Sequence, residues 1–167
     1  MTTYLQSTPV VEELPAQPYV AIKGSVTMTE VGTIADRLPE VFGWLAAHGV
    51  RPVGPPFFRY VVIDMRHRLD LEVGVPVAER QQGSGDVVAG VFPAGTYATV
   101  QHRGHPDELV HVTGELLAWA EAEGLTWDMT PAADGEHWAC RLEVYHTDPE
   151  QEPDLNRWVT DLVFKTR

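Results

Sequence analysis

Cysteine and positive charge are both scarce in this sequence, and each shortage excludes something. A single cysteine, Cys140, stands among 167 residues, so no intramolecular disulfide can form and a reducing compartment is expected. Lys and Arg number 12 against 24 Asp and Glu, a formal net charge of −12. A surface of that sign repels phosphate backbones and anionic lipid, which argues against nucleic acid and membranes as direct partners and favours cationic small molecules. The opening Met1-Thr2-Thr3-Tyr4-Leu5-Gln6 has no basic segment leading into an apolar one, and no apolar run reaches membrane-spanning length. The expected location is therefore the cytoplasm. Motifs for metals and phosphates are missing too. His102, His105 and His111 have no cysteine near them, and the Gly-Ser-Gly within 81–86 is followed by no helix, so it reads as a flexible connector. Neither a metal nor a cofactor is expected. Cys140 sits in an apolar strand with no base at fixed spacing and reads as an inert thiol.

What is present is a hydrophobic content of 44%, enough for one core of ordinary size. The expected layout is an N-terminal extension, 1–9, followed by one domain, 10–167. Within that domain the order of elements is written twice, over about 10–80 and 86–167. Tyr19-Val20-Ala21-Ile22 corresponds to Tyr97-Ala98-Thr99-Val100. A helix ending in Trp44 and Gly49 corresponds to one ending in Trp119 and Gly124, and Leu71-Glu72-Val73 to Leu142-Glu143-Val144. Each copy reads as strand, helix, strand, strand.

Periodicity assigns the faces. Leu109, Val112, Leu116 and Ala120 recur at helical steps, and Ile34, Leu38, Phe42 and Leu45 form the equivalent stripe, with Pro39 delaying or kinking the first helix. Leu69, Leu71, Val73 and Val75 alternate with Asp70, Glu72, Gly74 and Pro76, the period of a strand with one apolar face. The predicted class is α+β, with tandem β-α-β-β units forming one antiparallel sheet. Two helices are expected on one face and a ligand cleft on the other.

Glu143 is the leading candidate residue, because it shares a strand face with Tyr145 inside an apolar segment. A carboxylate withdrawn from water needs a positive partner, which a cationic ligand would supply and which Arg141 would supply instead in a purely structural ion pair. Glu72, at the corresponding place in the first copy, reads either as a second carboxylate of the same cavity or as a solvated rim residue. Phe58, Tyr60, Tyr145, Trp138 and Trp158 are candidate ring walls, able to stack on flat ligands and attract delocalised cations. Two carboxylates facing one cavity would permit acid and base catalysis, so hydrolysis stays open.

Four segments, taken in order, resemble one family. They are Gly54-Pro55-Pro56-Phe57-Phe58, Leu71-Glu72-Val73-Gly74-Val75-Pro76-Val77, Phe92-Pro93-Ala94-Gly95-Thr96-Tyr97 and Leu142-Glu143-Val144-Tyr145-His146-Thr147-Asp148-Pro149. The chain is similar, from about Val10 to Lys165, to the GyrI-like small-molecule-binding domain family and to the effector-binding domains of multidrug-sensing transcription activators. The resemblance implies polyspecific recognition of bulky aromatic or lipophilic, often cationic, molecules in a central cleft, with Glu143 as the key acidic residue. It also implies two alternatives: a hydrolase of strained cyclopropanoid-type compounds working through Glu143 and Tyr145, and a gyrase-inhibitor-like interaction protein.

Overall fold

A computed structural model describes residues 3–64, 66 and 68–167. The described residues form ten strands and three α-helices: β1 (Val10–Leu14), β2 (Gln17–Val26), α1 (Val31–Ala35), α2 (Leu38–His48), β3 (Phe57–Ile63), β4 (Leu69–Pro76), β5 (Val87–Phe92), β6 (Gly95–Arg103), α3 (Leu109–Ala122), β7 (Met129–Ala132), β8 (Gly135–Trp138), β9 (Arg141–Tyr145) and β10 (Val159–Lys165). All strands join one antiparallel sheet in the order β1-β6-β10-β9-β3-β4-β2-β5, with the β7–β8 hairpin attached to the end of β3. The α+β class and the open antiparallel sheet agree with the sequence reading.

The first helical stretch is divided as Pro39 foretells. Proline lies in the first turn of α2, where its missing N–H costs nothing, and α1 ends just before it at Ala35. Gly49 then closes α2 with a φ of 67°, a left-handed cap that glycine adopts without strain. The buried side of α3 is Leu109, Val112, Leu116 and Ala120, the stripe set by periodicity. In α2 the buried residues are Val41 and Leu45, whereas Phe42 faces solvent, so the predicted stripe is corrected by one position.

The pairing order also corrects the internal correspondence. In the first half β2 and β3 flank β4, and in the second half β6 and β9 flank β10. By place in the sheet, β10 matches β4 and β9 matches β3. Leu71-Glu72-Val73 and Leu142-Glu143-Val144 consequently occupy different places in the sheet despite their shared letters.

Two apolar clusters hold the sheet, one on each face. The larger joins Ile22, Leu71, Val73, Val100, Leu162 and Phe164 to the helices through Val41, Leu45, Val112 and Leu116. The smaller, on the face without helices, gathers Tyr19, Phe57, Phe92, Tyr97, Cys140 and Leu142. Gly74 lies between β2 and β3, and a Cβ there would stand 2.0 Å from the Val20 carbonyl oxygen, so the centre of the sheet tolerates only glycine at that point. The 81–86 connector is pinned rather than free: Trp44 Nε1 donates to Ser84 Oγ at 2.8 Å, and Arg37 meets Asp86 at 2.9 Å. No helix among the described residues is long and apolar enough to cross a membrane.

Candidate functional site

The site is assembled where the two halves meet, along the β3–β9 pair. Residues in direct register share a face, and the register runs Leu162, Glu143, Phe58, Val73, Ile22 across five strands. Every apolar member of that row belongs to or packs on the cluster that carries the helices. Glu143 therefore projects toward α1 and α3, and the cavity that holds it lies on the helix-bearing face. The expectation of a Glu143 cleft on the opposite face is corrected. Its physical cause is that Leu142 and Val144 serve the smaller cluster, so apolar residues on β9 do not mark the helical side.

Glu143 is 9% exposed. Its Oε1 accepts hydrogen bonds from the Tyr145 hydroxyl at 2.7 Å and the Tyr60 hydroxyl at 2.9 Å, while Oε2 has no partner among the described residues. Burial pushes the Glu143 pKa up. The hydroxyls of Tyr145 and Tyr60, with Arg141 more distant, hold it back only in part. Burial, with the adjacent carboxylate, likewise raises both tyrosines well above 10, so they remain donors at neutral pH. The arrangement is a carboxylate with one oxygen satisfied and the other turned to an open space.

That space is a cavity of about 360 Å³, lined by Tyr60, Arg141, Glu143 and Tyr145 from the sheet and by Val31, Leu109, Val110 and Thr113 from the helices. A second cavity of about 330 Å³ adjoins it, sharing Tyr145 and Pro106, and is walled by Phe58, Leu38, Pro149 and Trp158. Both volumes fall in the range that takes a small organic ligand. Phe58 and Tyr145 meet edge to face, with ring centroids 5.6 Å apart. Of the candidate residues, Glu143, Tyr145, Tyr60, Phe58 and Trp158 are thus brought together. Trp138 is not part of either wall: it is buried behind Arg141, whose guanidinium carbon stands 4.8 Å from its ring. Sequence reasoning missed the contribution of α1 and α3, because side chains such as Val31 and Thr113 carry no chemical signature. The alternative it kept for Glu143, a structural ion pair with Arg141, does not form within 4.0 Å among the described residues.

Glu72 stands on the other face. It is in register with Lys23, Arg59 and, through Arg59, Leu142, and it is 4% exposed. Its Oε1 lies 3.1 Å from Arg59 Nη1 and accepts from the Tyr19 hydroxyl at 2.6 Å. Arg59 Nη2 donates to the Ala139 carbonyl at 2.8 Å. Burial works against the Arg59 charge, but Tyr19, Cys140 and Glu72 together hold its pKa above the ordinary value. Both earlier readings of Glu72 are corrected: it is neither a solvated rim residue nor a second carboxylate of the Glu143 cavity, because the sheet separates the two. The Cys140 thiol is buried and pushed up to about 11 by that burial, which disfavours the thiolate. Among the described residues no cluster of three or more His, Cys, Asp or Glu could hold a metal.

A family model described as GyrI-like small molecule binding domain matches residues 7–166. The chain belongs to that family. Solved structures place the GyrI-like chain among relatives of the same fold. The EcmrR C-terminal domain superposes with a TM-score of 0.75 at 19% identity, covering 96% of this chain and 97% of that one. In the EcmrR–DNA complex the matched region spans 57% of the EcmrR chain, so the present chain is little more than half the length of that relative. SAV2435 bound to tetraphenylphosphonium follows with a TM-score of 0.66 at 8% identity, covering 96% and 94%. A hydrolase encoded by lin2189 from Listeria innocua gives 0.64 at 15% identity, covering 98% and 93%. No curated protein matches the GyrI-like chain significantly.

Proposed function

We propose that this GyrI-like domain binds bulky aromatic or lipophilic, cationic small molecules in the paired cavities between α1, α3 and the sheet, with Glu143 as counter-charge. The observation that carries the proposal is the half-satisfied carboxylate. Oε1 is fixed by two tyrosine hydroxyls and Oε2 has no partner among the described residues, in a site where burial raises the pKa. A buried charge of this kind is costly until a positive group arrives, and the rings of Tyr60, Tyr145 and Phe58 beside it suit a delocalised cation. The tetraphenylphosphonium bound by SAV2435, a protein of the same fold, is a ligand of this description. Titration with a rhodamine ester or with tetraphenylphosphonium tests it. Micromolar binding, about −8 kcal/mol, is expected for the unsubstituted protein and at least about tenfold weaker binding for Glu143→Gln. Equal affinity in the two proteins would refute the role of Glu143.

Hydrolysis is the second reading, favoured by the same geometry. A carboxyl with a raised pKa and two hydroxyls aimed at it form a proton-transfer set. Incubation with a cyclopropane-bearing alkylator separates the readings: a ring-opened product made by the unsubstituted protein and not by Glu143→Gln would establish an enzyme.

A further inference from the structure

Arg141 is the one group of the cavity that cation binding leaves unexplained. It lies on the same face of β9 as Glu143 and lines the same cavity. Its guanidinium carbon is 4.7 Å from the Phe164 ring centroid, 4.8 Å from Trp138 and 5.7 Å from Tyr60. These ring faces hold the group in place, and it makes no hydrogen bond or ion pair with any described residue. Its Nε is fully enclosed without an acceptor, which leaves the two terminal nitrogens as the donors that can face the cavity.

A guanidinium carries five N–H donors and accepts nothing. Ring faces attract its charge but satisfy none of those donors in the plane of the group. The contrast with Arg59 lies in the terminal nitrogens: Arg59 also encloses its Nε without an acceptor, but its Nη1 and Nη2 are matched by Glu72, the Tyr19 hydroxyl and a backbone carbonyl. Burial works against the Arg141 charge and lowers its pKa; Glu143 is close enough to offset this in part but is itself occupied at Oε1 by tyrosines. The cavity therefore presents two separate unmet requirements, an acceptor at Glu143 Oε2 and a set of donors at Arg141, side by side on one strand.

We infer that the preferred ligands are amphoteric aromatic molecules, whose cationic or donor group meets Glu143 and whose carboxylate or carbonyl oxygen meets the Arg141 guanidinium. This rests on the small-molecule reading above and narrows it. A plain lipophilic cation satisfies only Glu143 and brings a like charge near Arg141. A zwitterion with an aromatic body satisfies both groups and keeps the filled cavity neutral.

Rhodamine B and its ethyl ester provide the test, because they share one ring system and differ in whether the carboxylate is free. Fluorescence titration of the unsubstituted protein should show the free acid binding about tenfold more tightly than the ester, about 1.4 kcal/mol. Arg141→Met, which keeps an apolar stem against Trp138 and Phe164, should abolish that preference. Arg141→Lys should retain part of it, since it keeps the charge and loses the planar fork. The ratio for the unsubstituted protein decides even where Arg141→Met fails to fold. Equal affinities, a preference for the ester, or a preference that survives Arg141→Met would overturn the inference while leaving the cation-binding reading intact. Failure of both dyes to bind would overturn the two together.

Discussion

The sheet buries one glutamate on each face, and the two are treated in opposite ways. Glu72, on the face without helices, has an arginine at 3.1 Å and a tyrosine hydroxyl at 2.6 Å. Glu143, on the helical face, has two tyrosine hydroxyls on Oε1 and, among the described residues, no partner on Oε2 and an arginine that does not reach it. Burial by itself therefore does not distinguish a structural carboxylate from a binding one. The nearest counter-charge does: Arg59 reaches Glu72 Oε1 at 3.1 Å and forms a charge pair within the fold, although Glu72 Oε2 and Arg59 Nε have no partner among the described residues, whereas Arg141 forms no such pair with Glu143, and on the proposed reading a guest supplies it.

The comparison is broken most severely by removing Arg59. Arg59→Met would leave Glu72 buried without its counter-charge, and losing one partner of a buried pair costs about 3 to 5 kcal/mol. Urea unfolding should show a fall of that order, with dye affinity little changed in whatever fraction remains folded. A loss of less than about 1 kcal/mol would mean that the pair is solvated like a surface salt bridge. Glu143→Gln should do the reverse, with a smaller effect. Because burial raises the Glu143 pKa above the ordinary 4.5, the fold prefers the protonated form. Its contribution to stability is greatest below that ordinary value and is lost as pH rises through the raised one. An amide removes that cost, so the melting temperature at pH 7 should be unchanged or higher while cation affinity falls about tenfold. A marked loss of stability in Glu143→Gln would place Glu143 with Glu72 as a structural residue.

Much of the frame was legible in the sequence because periodicity reports it directly. The α3 stripe and the break at Pro39 each depend on residues close together in the chain, whereas the alternation of β4 gave its two faces but not that Glu72 and Gly74 on the second face are buried too. The face to which Glu143 points was not legible. Alternation on β9 gives two faces, but it does not say which one receives helices when Leu142 and Val144 have an apolar cluster of their own to join. The false equivalence of Glu72 and Glu143 has the same root, since strand order is fixed by long-range pairing and not by a three-residue match. The Arg59 network was invisible for a related reason: Tyr19, Arg59, Glu72 and Ala139 come from four separate segments. Glu143 with Tyr145 on β9, and Tyr60 with Phe58 on β3, were legible as candidates because shared parity is a signal within single strands, whereas the helical side of the cavity is built from unremarkable apolar residues.

The finest test of the contrast is a pair of Tyr→Phe substitutions, one on each face. On the proposed reading cation binding needs the ionised Glu143 carboxylate, so affinity should decline as pH falls toward its raised pKa, at values above 4.5. The Tyr145 hydroxyl donates to that carboxylate and favours its charged form. Tyr145→Phe should therefore move the pKa further up, and the loss of dye affinity on acidification should begin at higher pH. The effect at pH 7 should be less than about tenfold, since the Tyr60 hydrogen bond remains. Tyr19→Phe removes a hydroxyl from Glu72 instead, and it should cost about 1 kcal/mol of stability without moving the pH profile of binding. The profile, read by fluorescence titration at a series of pH values, would reverse the assignment of the two faces if it shifted with Tyr19 and stayed fixed with Tyr145.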